Sequence, residues 1–373
     1  MGSETKYLSG MKRSNNSIGF LRLAAATLVI VGHSFPLGGY GDDPLLELTN
    51  NQIAIGRFPV DVFFALSGYL IAMSYTRSSH WGVFAWHRFL RIYPAFWVCI
   101  VLTGITFASL LGTGPNLHYL LRNAPIIFGI NDTVPGLFID TPAAPSVNSS
   151  LWTLPWELRA YALVLILGLT GLLTRIRVVL PLFLVSWLLL NVEIFSYPGA
   201  ENTSPAVTSG ARLMSFFLAG TLFYLWRDHI RIRTNYFAGA LITLIVATLA
   251  GTQWADYSAG LFYAVAPLPL TYCVFWLAAT LPLQRVNTSY DFSYGIYIYG
   301  TLTLNLLADQ RVNEHVSWLA FLLLAIVFGY AAAVASWYLI EKPAQAFKDW
   351  RPRRRRPQTK RPDPVGSGGS ADL

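Results

Sequence analysis

The sequence predicts an all-α, polytopic membrane protein of about ten transmembrane helices with both termini in the cytoplasm, and three observations carry that prediction. Hydrophobic residues make up 54% of the 373 positions and charged residues only 12%, with a mean hydropathy of +0.46, a balance that does not fit a soluble domain. Apolar runs of membrane-crossing length recur along the whole chain. Lysine and arginine are distributed between those runs with an alternation that an even number of crossings satisfies.

A bilayer asks for about 20 mostly apolar residues per helix. Ten runs are candidates, near residues 17 to 38, 53 to 76, 89 to 112, 149 to 174, 177 to 196, 209 to 226, 236 to 251, 257 to 282, 290 to 307 and 316 to 340. The first is expected to stay in place, because no small-residue cleavage site follows Leu37 and further apolar runs do. The fourth opens with "SVNSSLWTLPWE", where Ser149 or Ser150 is a candidate N-cap and Pro155 frees a carbonyl a few residues into the helix. The seventh is short for a full crossing. A further piece, Ala124 to Ile130, is too short to cross and is expected at the interface. With a cytoplasmic N-terminus, the inner segments collect Lys6, Lys12, Arg13, Arg77, Arg88, Arg91, Arg175, Arg177, Arg227, Arg231, Arg233 and Arg285, whereas the outer loops hold little more than Arg122 and Arg311.

Two regions follow from this reading: a membrane domain over 1–345 and a basic tail over 346–373 that has almost nothing apolar to bury and is expected to be disordered. The net charge of +8 is largely a property of that tail. It suits anionic lipid at the bilayer surface. Nucleic acid is not an expected partner, since the tail lacks aromatic or groove-reading residues. Cys99 and Cys273 each stand alone inside an apolar run, so neither a disulfide nor a thiolate metal cluster is indicated, and no metal cofactor is expected.

Ionisable residues inside spans are costly and are functional candidates by default. Most fall in the first four spans. Arg22 and His33 are eleven residues apart, which on a helix is about 20° from eclipse and a rise of roughly 16 Å. They share one face. A guanidinium near the cytoplasmic surface suits phosphate, and a deeper imidazole can take a proton. The separation is comparable to an extended pantetheine arm. Arg88 and Arg91, at i and i+3, suit a diphosphate at the same boundary or simply anchor the span. Glu157 lies about 12 Å below the outer start of the fourth span, where it could orient the imidazole or bind an acceptor hydroxyl, unless it pairs with Arg159 or Arg212. For Asp61 the simpler expectation is a pair with Arg57, four residues earlier.

At these residues the chain resembles the acyltransferase-3 family of membrane acyltransferases, which modify cell-surface glycans, lipid-linked sugars, nodulation factors and some antibiotics. The resemblance rests on the R-x10-H of Arg22 and His33, "VDVFFALSGYLI", the R-x-x-R of Arg88 and Arg91 followed by "IYP", "VNSSLWTLPWE", "SYGIYIYG" and "SWYLIEKP", in that order. It implies that His33 is the catalytic base or a transient acyl carrier, with Arg22 beside it, that Arg88 and Arg91 help bind acyl-coenzyme A, and that Glu157 belongs to the site. Asp61, Trp152 and Arg159 are the expected substrate-binding residues. One departure stands out: many relatives carry histidine where this chain has Gly300.

The expected activity is therefore O-acyl transfer from cytoplasmic acyl-coenzyme A, most simply acetyl-coenzyme A, to a hydroxyl of a glycan, lipid-linked sugar or small-molecule acceptor, in a bacterial inner membrane. The rival from another class is a proton-coupled transporter of an anionic or sugar-like solute, with His33, Asp61 and Glu157 as the relay. Against it, no inverted repeat and no matched pair of broken helices is evident. A third reading, an inactive scaffold, is opposed by the intact Arg22 and His33.

Overall fold

A computed structural model describes residues 7–11, 15–142, 145–196, 205–253, 260–287 and 290–349. The tail from residue 350, together with Lys6, Lys12 and Arg13, lies outside the described residues. Each of the ten apolar runs holds a main helix: α1 Ile18–Gly38, α2 Phe58–Arg77, α3 Trp81–Val101, α4 Leu154–Leu169, α5 Ile176–Ser196, α6 Pro205–Leu225, α7 Thr234–Gln253, α8 Pro267–Thr280, α9 Ser293–Asp309 and α10 Trp318–Ser336. Among the described residues there is no strand, only one antiparallel bridge between Tyr7 and Arg231.

Five helical stretches are long and apolar enough to cross a membrane: Ile18–Gly38, Phe58–Arg77, Trp81–Leu110, Thr234–Gln253 and Trp318–Ala346. Shorter apolar segments lie in α5, α6 and α8. The two longest stretches are not uniform. α3 continues through a π-helical turn, Leu102–Phe107, and α10 through another, Trp337–Glu341. The second of these brings Glu341 into the molecule, where it is buried.

Local chemistry explains where the helices begin and stop. α1 ends at Gly39, whose left-handed φ of 71° lets its N–H close the last turn on Phe35 and Pro36. α2 carries Pro59 in its first turn, where a missing N–H costs nothing. α3 is capped by His80, whose Nδ1 accepts from the Gly82 N–H at 3.0 Å. α4 corrects the sequence reading. It starts at Leu154, after a 3-10 turn over Ser149–Thr153, so neither serine caps it and Pro155 sits in its first turn, where it disrupts no α-helical bond.

Close approach sets the packing of α6 on α2. Gly68 of α2 faces the Phe217 carbonyl of α6, and Gly220 of α6 faces the Ala65 carbonyl of α2; a Cβ at either would overlap backbone. Such reciprocal small-residue contacts let two helices touch backbone to backbone. The segment between α3 and α4 is long. It holds a short helix, Leu117–Asn123, and then dives back, with Asn148 donating from Nδ2 to the Ile298 carbonyl at 2.8 Å and accepting from Thr301 at 2.7 Å. Within it, Ile126 is buried and Phe128 exposed.

Candidate functional site

Four helices meet at one cluster of charge. α1 supplies Arg22 from its second turn, α3 supplies Arg88 and Arg91, the turn before α9 supplies Asp291, and the π-helical end of α10 supplies Glu341. Asp291 Oδ2 stands 2.8 Å from Arg22 Nη1 and 2.7 Å from Arg91 Nη2. The other Arg91 nitrogen, Nη1, lies 3.1 Å from Glu341 Oε2. Both carboxylates are held at their second oxygen as well. Ser293 donates to Asp291 at 2.5 Å, and Ser336 donates to Glu341 at 3.2 Å.

Arg88 is different. Its guanidinium lies 5.9 Å from the centre of the Tyr161 ring, within cation–π range. Its Nε is buried with no hydrogen-bond partner. Among the described residues no carboxylate is paired with it.

These arginines line a narrow cavity of about 90 Å³ together with Glu157, Tyr161, Ser67, Thr153, Ser293, Tyr294, Tyr297 and apolar residues of α2, α3 and α6. The Tyr161 hydroxyl donates to Glu157. Glu157 thus shares a space with the arginines, one helical turn from Tyr161. It does not pair with Arg159 or Arg212, and its described hydrogen bond is not to His33.

His33 is half-buried and does not line this cavity. Its Nδ1 lies 2.8 Å from the Val29 carbonyl. Because a carbonyl can only accept, Nδ1 carries a proton, and in the neutral imidazole Nε2 keeps its lone pair. The ring rests against Gly56, in the turn before α2. At the neighbouring start of α2, Val60 and Phe63 line the cavity. Phe63 also packs on the apolar cluster of Ala26 and Ile30 and meets the Tyr297 ring edge-on at 5.8 Å. The shared α1 face expected for Arg22 and His33 is therefore divided: Arg22 opens to the cavity, and the imidazole stands outside its walls.

Three other expected residues also lie outside the cavity. Asp61 is fully buried and faces Arg212 Nε of α6 at 3.3 Å, while Arg57 is exposed, so the expected i, i+4 pair does not form. Arg212 lies over the Tyr263 ring at 5.0 Å. Arg159 donates from Nε to the Ile127 carbonyl at 3.2 Å and stacks 4.4 Å from the Trp156 ring. Trp152 packs against the main apolar core.

The sequence reading missed Asp291, Glu341 and Tyr161. Glu341 was visible inside "SWYLIEKP", but it fell one residue beyond the expected end of the last span, so the rule that flags intramembrane charge did not reach it. Among the described residues, no group of three or more His, Cys, Asp or Glu side chains could hold a metal ion.

Comparison with known proteins bears on the same region. An O-acetyl transferase of Shigella phage Sf6 is 25% identical, across 88% of this chain and 95% of its own. Nodulation protein 10 of Rhizobium leguminosarum bv. viciae is 29% identical, across 93% and 97%. The exopolysaccharide production protein ExoZ of Rhizobium meliloti is 25% identical, across 80% and 92%. No solved structure matches. The acyltransferase-domain profile of the acyltransferase-3 family matches residues 15–340, a stretch that contains α1 to α10 and every residue of the charged cluster except Glu341. The chain belongs to the acyltransferase-3 family and is a membrane acyltransferase.

Proposed function

We propose that the protein spans a bacterial inner membrane ten times, with both termini in the cytoplasm, and transfers an acetyl group from cytoplasmic acetyl-coenzyme A to a hydroxyl of a glycan or related acceptor. The observation that carries this is the convergence of Arg22, Arg88, Arg91 and Glu157 on one cavity beside the helix ends that the basic loops mark as cytoplasmic. The fit to an anionic donor rests on Arg88, whose buried Nε lacks a partner. A buried N–H without an acceptor is costly, and a diphosphate oxygen satisfies it. The names of the relatives, an O-acetyl transferase, a nodulation protein and an exopolysaccharide production protein, support acetyl as the group and a carbohydrate as its destination.

Bound acyl-coenzyme A supplies the activated thioester. The arginine cluster holds its phosphates at the cytoplasmic end. His33, with Nδ1 held on Val29, receives the acceptor hydroxyl proton at Nε2. Glu157 and its Tyr161 partner supply polar groups along the path between. Asp61, Trp152 and Arg159, outside the cavity walls, support the acceptor side at most through the packing of α2 and α4. The imidazole lies outside the cavity walls, so transfer requires a rearrangement that brings the acceptor hydroxyl and the thioester together beside it.

The test is transfer itself. Purified protein, labelled acetyl-coenzyme A and a surface-glycan extract should give free coenzyme A and labelled glycan. His33→Ala should abolish both while the protein remains monodisperse. Counterflow of an unmodified solute through reconstituted protein, indifferent to coenzyme A and to His33, would overturn the proposal in favour of transport.

A further inference from the structure

The three arginines of the R22, R88, R91 set are not equivalent. Arg91 has a carboxylate on each terminal nitrogen, Asp291 at 2.7 Å and Glu341 at 3.1 Å, and its guanidinium lies 5.4 Å from the Tyr294 ring centre. A guanidinium offers five N–H donors in one plane. With both ends and one face occupied, Arg91 has little left for a ligand. The two carboxylates are themselves fixed by Ser293 and Ser336, and Asn287 ties Asp291 to α1 by donating to the Gly19 carbonyl at 3.1 Å and to Asp291 Oδ1 at 3.4 Å. Arg91 thereby joins α3 to α9 and α10, and through Asp291 to Arg22 on α1. Arg88, one turn away on the same cavity, has none of these partners.

We propose that Asp291 and Glu341 are positioning residues that lock Arg91 as the keystone of the donor site, and that Arg88, on the same cavity wall and without a carboxylate partner among the described residues, makes the principal contact with the donor's diphosphate. This rests on the reading of the cavity as an acyl-coenzyme A site. Its physical content is an asymmetry. Glu341 is 1% exposed, so removing Arg91 strands a buried carboxylate, and removing both together relieves it. Nothing comparable stands behind Arg88, whose loss takes away a ligand contact that no second change returns.

The experiment measures binding of coenzyme A to the full chain in detergent, by calorimetry, for the wild type, R88Q, R91Q, E341Q and the doubles R91Q/E341Q and R88Q/E341Q. Loss of one charge-assisted contact corresponds to roughly ten- to a hundredfold in affinity. R88Q and R88Q/E341Q should both fall by that amount. R91Q should fall as far, and R91Q/E341Q, in which no carboxylate is stranded at 341, should recover a measurable part of that loss. In turnover, E341Q should raise KM for the donor at a kcat near that of the wild type, a split that mere loss of folded protein would not give. If R91Q does not fold, lysine substitutions take its place: R91K, which keeps a cation between the two carboxylates, should weaken binding less than R88K, which loses the planar fork offered to the diphosphate and should fall about tenfold. Wild-type binding with no recovery in the R91Q/E341Q double, or with equal losses in R88K and R91K, would overturn the inference and leave the donor site standing. Absence of coenzyme A binding by the wild type would overturn both.

Discussion

Gly56 presents bare backbone to His33: a Cβ placed on it would stand 2.7 Å from the imidazole Nδ1 and 3.0 Å from Cε1. That nitrogen is the one bonded to Val29. The absence of a side chain at 56 and the orientation of the proposed base are thus one feature, contributed by two segments distant from the basic cluster.

Gly56→Ala should therefore push the ring off the Val29 carbonyl without touching the arginines. Misplacement of a catalytic group on this scale costs about tenfold to a hundredfold in rate. The expected outcome is a fall of that size in acetyl transfer with coenzyme A affinity unchanged, read by steady-state turnover beside calorimetry. An alanine variant with wild-type turnover would show that the orientation of His33 is not limiting.

Tyr161 links the two kinds of chemistry in the cavity, since its hydroxyl serves Glu157 and its ring lies under Arg88. The two contacts separate by substitution. Tyr161→Phe keeps the ring and removes the hydroxyl, so donor affinity should persist while turnover falls about tenfold, the value of one hydrogen bond to a charged group. Tyr161→Leu should weaken both. Equal behaviour of the two variants would mean that the hydroxyl contributes nothing of its own.

Asp61 and Arg212 form a buried pair at the α2–α6 contact. Breaking such a pair from one side leaves an uncompensated charge and costs about 3–5 kcal/mol, whereas replacing both partners with apolar residues is often neutral. Asp61→Asn should lower the thermal midpoint in detergent markedly, and Asp61→Leu with Arg212→Met should restore most of it. If the restored protein also transfers acetyl at the wild-type rate, Asp61 has no part in acceptor binding.

What the sequence disclosed was what periodicity and composition can carry. All ten apolar runs hold helices, and Arg22, Arg88, Arg91 and Glu157, picked for their placement in or beside spans, line one cavity. Partners were harder. Asp61 is four residues from Arg57 in the chain but faces Arg212 in space, because the first turn of α2 leaves Arg57 at the surface while glycines draw α6 against α2. Glu341 was hidden by a π-helical turn, which shifts the register in which a span is counted. The run from Ser149 opens with a 3-10 turn tucked against α9, so the uniform α-helical rise used to place Glu157 along the fourth span does not hold over its first five residues.

Gly300 is the remaining departure, and packing accounts for it. A Cβ at 300 would stand 2.6 Å from Ile30 Cγ1 and 3.0 Å from Cδ1, and the same Cδ1 is 3.3 Å from where a Cβ on Gly329 would lie. Ile30 of α1 is wedged between glycines of α9 and α10. Histidine at 300 therefore requires a smaller residue at 30. Gly300→His alone should reduce the yield of monodisperse protein severely, since overpacking of this kind costs about 1–3 kcal/mol or more. Gly300→His with Ile30→Ala should recover it. Ile30 lies three residues from His33 on the same helix, so the recovered double variant places a second imidazole within a turn of the first. A changed pH profile for acetyl transfer in that variant would mark position 300 as adjoining the proton-transfer path, and tolerance of Gly300→His on its own would refute the wedge.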